Sequence, residues 1–261
     1  MKEILEVFGI YGKIVRLNGG QGRSVRVGDF VIKPIDEVNK YNWIGSVLAP
    51  ISTSGLSIAK PLKSKNGNFV ENGYGVTKYI EGEFSQGNIK EKIKACQALS
   101  HLLQSIKQPE QWTHWHSPWQ RANQVAWEEA DLPDNTNLHS VKLIKSIKTG
   151  YQPIHLPKQL VHSDLAGNIL FNGSTPVIID FSPEFRPKAY AEILLITDSI
   201  AWHQEELKSL WITQYSKFLL TQLALRAIIF RLTVTVIFNP DNHDSVLKEL
   251  KNFEPILNIL K

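Results

Sequence analysis

The chain has 261 residues, of which 43% are hydrophobic and 21% charged, as is typical of a folded protein with one large domain or two packed lobes. Its formal net charge of +4 is too small for a dedicated nucleic-acid binder, so we expect a nucleotide-sized anion as ligand and no nucleic-acid partner. The single cysteine, Cys96, excludes an internal disulfide framework and favours a reducing compartment.

Two apolar segments decide whether a membrane or secretion is expected. Residues 1–10 carry two glutamates, so this segment lacks the uninterrupted hydrophobic region of a secretory signal. Residues 219–238 are the most apolar of the chain, yet they contain Arg226 and Arg231, which favours a buried helix over a membrane span. We therefore expect a cytoplasmic protein with no membrane partner.

The first 82 residues are rich in short β-type runs separated by Gly, Asn and Pro, which predicts an antiparallel sheet. One amphipathic segment, DEVNKYNWIGSVL, interrupts these runs and predicts a helix. Its predicted packing stripe consists of Val38, Trp43, Val47 and Leu48.

After residue 82 the pattern becomes mostly helical. The segment NIKEKIKACQALSHLLQSIK has apolar residues at three-four spacing and predicts an amphipathic helix, capped at its N-terminus by Asn88 and Glu91. Lys92 and its neighbouring lysines are expected on the solvated face. We predict the α+β class, with a small sheet-rich N-lobe at residues 1–82 and a larger helical C-lobe at residues 83–261.

The N-lobe contains a glycine-rich segment, NGGQGRSVRVGDFVIKP, between two predicted strands. Such a hairpin tip brings backbone N–H groups close to a ligand, for which phosphate is the natural candidate, although many such tips are plain turns. Lys33 lies in the next strand, where it would reach phosphates beneath the loop; the alternative is a solvent-facing lysine.

The segment VHSDLAGNILF places His162, Asp164 and Asn168 together at a strand end. Polar groups crowded at such a point usually indicate a functional site, because an unpaired carboxylate is costly in apolar surroundings. An Asn-Gly turn then predicts a hairpin that brings Asn168 and Asp180 to neighbouring ends. The structural alternative is that Asp164 caps a turn and His162 satisfies buried backbone groups.

This order of features resembles the protein-kinase-like bilobal fold, and within it the aminoglycoside phosphotransferases and choline kinases. The resemblance spans residues 19–202. The segments GGQGRSVRVGDFVIKP, VHSDLAGNILF and IIDFSPEFRP are also similar to an uncharacterised bacterial family related to the aminoglycoside phosphotransferases. That family brings no substrate with it.

The resemblance implies roles for five residues. Asp164 corresponds to the catalytic base that faces the substrate hydroxyl, and His162 to the structural histidine of the same loop. Asn168 and Asp180 correspond to the ligands of Mg²⁺ on the phosphates of ATP. Asp198, in TDSIAW, corresponds to a residue that braces the catalytic loop.

The resemblance also implies nucleotide contacts from the glycine loop, the strand lysine and the hinge after the sheet. These residues are Gly20, Gln21, Gly22, Lys33, Lys78, Tyr79 and Ile80. Three departures stand out: only three residues separate Asp164 from Asn168, Ser182 follows where Gly or an acid is common, and Glu37 is the only glutamate available to pair with the lysine.

Several groups in the helical lobe are candidates for binding an acceptor, although structural roles are the commoner explanation for the acidic run and for the tryptophans. An acidic run would suit a cationic acceptor, and tryptophans would stack on a sugar, a base or a quaternary ammonium. Two arginines would bind an acidic acceptor or extend from an apolar helix towards solvent. In the loop after Ser182, Glu184 and Arg186 either touch substrate or pin the loop. The acidic run, tryptophans and arginines are Glu128, Glu129, Asp131, Asp134, Trp112, Trp115, Trp119, Trp127, Arg226 and Arg231.

Two functional hypotheses follow. The first is a phosphotransferase dependent on ATP and Mg²⁺ that acts on a hydroxyl of a small molecule. The second is a nucleotide-binding regulatory or interaction protein that kept the fold without turnover.

Overall fold

The computed structural model describes residues 1–17, 22–115 and 117–260. In chain order the described elements are α1 (Lys2–Phe8), β1 (Ile14–Arg16), β2 (Val25–Val27), β3 (Phe30–Pro34), α2 (Val38–Leu48), β4 (Ser57–Ile58), β5 (Val70–Glu71), β6 (Tyr74–Lys78), α3 (Ile89–Leu103), a 3₁₀ helix (Glu110–His114), α4 (Pro118–Ala126), α5 (Leu138–Lys148), β7 (Gln159–His162), β8 (Ile169–Asn172), β9 (Thr175–Ile178), β10 (Pro183–Arg186), α6 (Lys188–Trp202), a second 3₁₀ helix (Leu207–Ile212), α7 (Lys217–Phe238) and α8 (His243–Leu260). The predicted α+β class is confirmed.

The chain forms two compact units, each built from two chain segments. The first unit contains Met1–Phe84 and Asn168–Phe181, and the second contains Ser85–Gly167 and Ser182–Lys261. This division differs from the predicted boundary at residue 82, which left the β8–β9 hairpin in the C-terminal lobe. The hairpin groups with the first unit because β9 pairs with β4.

The first unit contains an antiparallel sheet in the order β1-β2-β3-β6-β5 among the described residues, as the sequence predicted. Strand β3 lies between β2 and β6, and its register pairs Lys33 with Gly75. One face of the sheet packs on α1. The buried side chains of this core are Ile4, Ile10, Val27, Ile32 and Val76.

A second, smaller sheet of the first unit joins the hairpin to the N-terminal segment. Strands β8 and β9 are antiparallel, and β4 runs parallel to β9, with Ser57 opposite Val177. Glu83 and Phe171 add two backbone hydrogen bonds of 2.9 Å. The predicted hairpin is therefore confirmed, and its backbone partners come from residues far earlier in the chain.

Helix α2 forms where the sequence predicted a helix, and Val47 and Leu48 of the predicted stripe are buried. The side chain of Val38 is exposed, whereas Tyr41, Ile44 and Gly45 are buried. Gly45 is required by packing: a Cβ atom at this position would lie 2.6 Å from the Phe69 ring.

Helix α3 of the second unit is also confirmed, with two corrections. Lys92 is only 1% exposed, because its position falls on the buried stripe with Ile89 and Cys96. Burial lowers the pKa of Lys92, and the charge of Glu205 partly offsets this effect. Within the described structure, the Asn88 side chain makes no capping hydrogen bond and donates instead to Ser85 Oγ at 2.7 Å.

Helix α7 packs against α4, α6 and α8 in the second unit. Its length and hydropathy satisfy the criteria for a membrane-crossing helix, but 78% of its most apolar window is buried within the protein. The prediction of a buried helix is confirmed.

Replacing Gly45 with Ala should lower the free energy of unfolding by about 1–3 kcal/mol, because the added methyl group would overlap the Phe69 ring. The expected loss exceeds the gain in helix propensity of about 1 kcal/mol. Urea unfolding would measure it. Ser46→Ala, at the next and exposed position of α2, serves as the control and should leave stability nearly unchanged. A Gly45→Ala variant as stable as the control would contradict the packing argument.

Candidate functional site

In the first unit, Lys33 and Asp180 form an ion pair. Lys33 extends from β3, and its Nζ lies 5.7 Å from the centroid of the Tyr41 ring. The ring fits against the backbone of Gly75, where a Cβ atom would lie 2.5 Å from the Tyr41 Cε1. The glycine therefore lets an aromatic side chain pack close to the strand lysine.

The structure corrects the expected partner of Lys33. Glu37 lies at the N-terminus of α2, and its Oε2 is 3.5 Å from Nζ of Lys40, a turn later on the same helix. Asp180 pairs with Lys33 instead. The position one turn into α2 that would face the lysine is held by Tyr41, whose pKa is raised by burial and, to a smaller degree, by the charge of Asp180.

Asp180, two residues after the end of β9, has an unusual backbone conformation. Its φ of +47° lies in the left-handed region, which non-glycine residues adopt at a cost and which is common at functional sites. The Ile179 N–H donates to the Asn168 carbonyl at 3.0 Å, so the ends of the hairpin are adjacent in the backbone, as predicted. One carboxylate and one amide therefore come from neighbouring positions.

This donor set fits Mg²⁺ bound to a nucleotide. Magnesium is usually held by one or two carboxylates together with substrate phosphates, and it prefers oxygen ligands. Asp180 and Asn168 would supply a carboxylate and an amide oxygen. Among the described residues no group of three or more His, Cys, Asp or Glu side chains forms a metal site.

The predicted nucleotide contacts of the first unit are only partly visible. Gly20 and Gln21 lie outside the described residues, whereas Gly22 has a φ of +65° and open space where a Cβ would be. At the hinge, Tyr79 donates its backbone N–H to the Asp29 carbonyl at 2.7 Å, and the Arg26 guanidinium lies 3.7 Å from its ring centroid. The nucleotide roles of Lys78, Tyr79 and Ile80 stay predictions.

In the second unit, the loop after β7 carries Asp164. The backbone N–H of Asp164 donates to Nδ1 of the buried His162 at 3.1 Å, which fixes the loop from within. Ser163 donates its N–H to the Ser182 carbonyl at 2.9 Å, beside the paired strands β7 and β10. The Asp164 side chain remains 39% exposed.

Arg231, which extends from α7, connects Asp164 to Asp198. Its Nη2 donates to Asp164 Oδ1 at 2.7 Å, and its Nε donates to Asp198 Oδ1 at 3.1 Å. Burial raises the pKa of Asp198 to about 6, although Arg231 acts in the opposite direction. Burial alone would lower the pKa of Arg231, but the two carboxylates outweigh it and raise that pKa. Asp198, expected to brace the loop, thus does so through an arginine.

Sequence reasoning missed this role of Arg231. Neither arginine of α7 extends to solvent, because both are buried. Arg226 donates to the backbone carbonyls of Gln222 and Gln152, and its guanidinium lies 4.3 Å from the centroid of the Tyr151 ring. The signal was present in the sequence, because a charge inside a long apolar helix requires a buried partner.

The acidic and aromatic candidates have internal structural contacts. Arg186, which is buried, donates to both oxygens of Glu129 at 2.9 and 2.7 Å, and Lys158 adds a third contact at 2.7 Å. Although burial acts to raise it, these cations lower the pKa of Glu129. Trp112 packs edge-on against Trp115 and Phe185 in the core. Arg186 therefore pins its segment, as one of the two alternatives proposed.

A cavity of about 900 Å³ lies elsewhere in the second unit, between α5, α7 and α8. It is lined by residues such as Phe218 and Leu257, and none of the described residues that line it is a predicted site residue.

Comparisons with known proteins identify the fold. No family model and no curated protein matches the sequence. A spectinomycin phosphotransferase in complex with ADP and spectinomycin aligns with a TM-score of 0.60 at 16% identity, over 97% of this chain and 92% of that one. A thermostable mutant of an aminoglycoside phosphotransferase, in a ternary complex with ADP and hygromycin B, gives 0.64 at 14% identity, over 98% and 97%.

A choline/ethanolamine kinase family protein from Mesorhizobium loti gives a TM-score of 0.53 at 15% identity, over 94% of this chain and 90% of that one. These likenesses establish the fold. The chain has the protein-kinase-like fold of aminoglycoside phosphotransferases and choline/ethanolamine kinases, which confirms the prediction from sequence.

Replacing Glu129 with Gln should lower the free energy of unfolding by about 1–2 kcal/mol, because the bidentate contact with the buried Arg186 loses its charge assistance. Asp134→Asn, an exposed acid of the same run, is the control and should have little effect. Thermal or urea unfolding of both variants measures the difference. Equal stability of the two variants would show that the contact between Glu129 and Arg186 does not stabilise the fold.

Proposed function

We propose that this protein is a phosphotransferase that uses ATP and Mg²⁺ to phosphorylate a hydroxyl group of a small molecule. The observation that carries the proposal is the ion pair between Lys33 and Asp180 in a chain with the fold of aminoglycoside phosphotransferases. Pairing of the strand lysine with the carboxylate after the hairpin supports a role for Lys33 at the nucleotide phosphates and for Asp180 at the metal that those phosphates bind. The enzyme is expected to act in the cytoplasm.

The proposed function assigns the phosphate, metal and adenine contacts to different residues. Lys33 and the backbone of Gly20 to Gly22 bind phosphate oxygens of the nucleotide, while Asp180 and Asn168 hold the metal. When bound, Mg²⁺ offsets negative charge that develops on the transferred group. The backbone of Lys78 to Ile80 contacts the adenine.

Asp164 orients the acceptor hydroxyl and takes its proton. Its partial exposure supports this role, because a carboxylate must reach the substrate. The rigid loop supports it too, since the backbone of Asp164 is tied to His162 and its carboxylate to Arg231. Positioning of this kind accounts for much of the catalysis in phosphoryl transfer.

A second candidate is a nucleotide-binding regulatory protein without turnover. The short spacing between Asp164 and Asn168, together with the absence of an ion pair between Lys33 and the described residues of α2, favours this alternative. The retained Asp164 favours the enzyme, because a protein that only binds nucleotide has little need of a base.

We expect purified protein with Mg²⁺ and ATP to release ADP slowly without an acceptor. In Asp164→Asn this activity should fall at least about 100-fold, because the base is lost, while stabilisation by ATP is retained. A coupled assay for ADP and the shift in melting temperature on addition of nucleotide give the two measurements. Stabilisation by ATP with no turnover dependent on Asp164 would favour the regulatory protein, and no stabilisation by any nucleotide would contradict both candidates.

Replacing Lys33 with Met should abolish most of the nucleotide-induced rise in melting temperature, because the lysine contacts phosphate in the proposal. The melting temperature without nucleotide should change little, since the Lys33–Asp180 pair is partly exposed and worth less than about 1 kcal/mol. Lys13→Met, at an exposed lysine of the same unit, is the control. An unchanged nucleotide response in Lys33→Met would show that phosphate binds elsewhere.

A further inference from the structure

We propose that Arg231 is a positioning residue that fixes the carboxylate of Asp164 for the acceptor. This inference rests on the proposed phosphotransferase function and adds a residue that no motif of the sequence assigns. It follows from how one guanidinium is shared between two carboxylates of unequal exposure.

The geometry makes Arg231 a bridge between two separate elements. Nη2 of Arg231 contacts both Asp164 Oδ1 and Asp198 Oδ2, and Nε contacts both oxygens of Asp198. A guanidinium is planar and rigid, so two fixed contacts with Asp198 determine where the third N–H points. The position of Asp164 Oδ1 is thereby set by the α6–α7 packing.

The two carboxylates that Arg231 bridges differ in solvent exposure. Asp198 is fully buried and Arg231 nearly so, whereas Asp164 is partly open to solvent. The guanidinium also lies within about 5 Å of the centroids of the Phe230 and Trp202 rings, which restrict its movement. The buried end therefore anchors the arginine, and the open end presents the carboxylate.

The charges around the bridge leave an anionic excess. One guanidinium faces two carboxylates, and Glu249 of α8 adds a further negative group. His203, at the end of α6, lies within electrostatic range of Asp164 and of Lys92 on α3. Burial and the charge of Lys92 lower the pKa of His203, and the charge of Asp164 acts in the opposite direction. With Oδ1 held by Arg231, rotation of the Asp164 carboxylate is restricted, so an acceptor hydroxyl meets a base already oriented. Such pre-orientation is worth a large factor in rate.

A purely structural role would have a different signature. If Arg231 served only to neutralise the buried Asp198, removing both charges together would restore a normal protein. If it positions Asp164, the same double change would restore folding and leave the base unguided. The catalytic rate of this double variant therefore distinguishes the two roles.

The test compares Asp198→Asn, which keeps Arg231 beside Asp164, with the double variant Arg231→Met/Asp198→Asn, which removes the bridge without leaving a buried charge. Melting temperatures, KM for ATP and kcat for ADP release are measured for both. We expect the double variant to fold and to keep its KM, while its kcat falls about 100-fold below that of Asp198→Asn. In the conservative control, Arg231→Lys with Asp198 intact, part of this loss should be recovered.

Crystal structures of the two variants give a readout that needs no turnover. Asp164 should keep one rotamer in Asp198→Asn and change or multiply its rotamers in the double variant. Equal kcat values, or the same single rotamer in both, would overturn the positioning role. If the wild type binds ATP without turnover, the proposed function fails while the rotamers still decide the role of Arg231.

Discussion

The apolar helix α7 accommodates the buried charge of Arg231 because two carboxylates pair with it. Arg231 lies within the long apolar helix α7, and an isolated guanidinium there would lose its hydration without compensation. Asp198 on α6 and Asp164 on the loop after β7 supply that compensation. Three elements must therefore adopt one mutual arrangement before the charges can be buried, and the packing of α6 on α7 depends on it.

The ion pair of the first unit has the opposite character. Lys33 and Asp180 are both partly exposed, so their attraction is screened and contributes little to stability. A pair of this kind exchanges partners at small cost, which suits groups that bind a charged ligand and its metal. The buried cluster around Arg231 suits a permanent part of the scaffold.

Local sequence patterns predict most of the fold. The amphipathic spacing of α3, the alternation of β3 and the Asn-Gly turn between β8 and β9 each depend on a few neighbouring residues, and the sequence displays them directly. The same is true of the order of motifs, from which the resemblance to small-molecule kinases was recognised. The solved structures confirm that fold.

The errors concern residues whose partners are distant in sequence. Lys92 was placed with its exposed lysine neighbours, yet its angular position on α3 belongs to the buried face. Glu37 is the only glutamate near Lys33 in sequence, but the partner is Asp180, which follows 147 positions later. For Arg231 the sequence predicts contact with an acidic acceptor or extension towards solvent, because its partners Asp164 and Asp198 come from other elements. Hydropathy patterns do not specify such tertiary pairs.

The parallel pairing of β4 with β9 has a consequence for biosynthesis. The ribosome completes the N-terminal sheet well before it reaches Thr175–Ile178, because the whole segment Ser85–Gly167 is translated in between. Until then β4 lacks the strand that covers it, and its unpaired backbone is open to association with other chains. The first unit therefore cannot complete its fold until Asn168–Phe181 has been translated, after the intervening segment of the second unit. Its last folding step depends on contacts of high sequence separation.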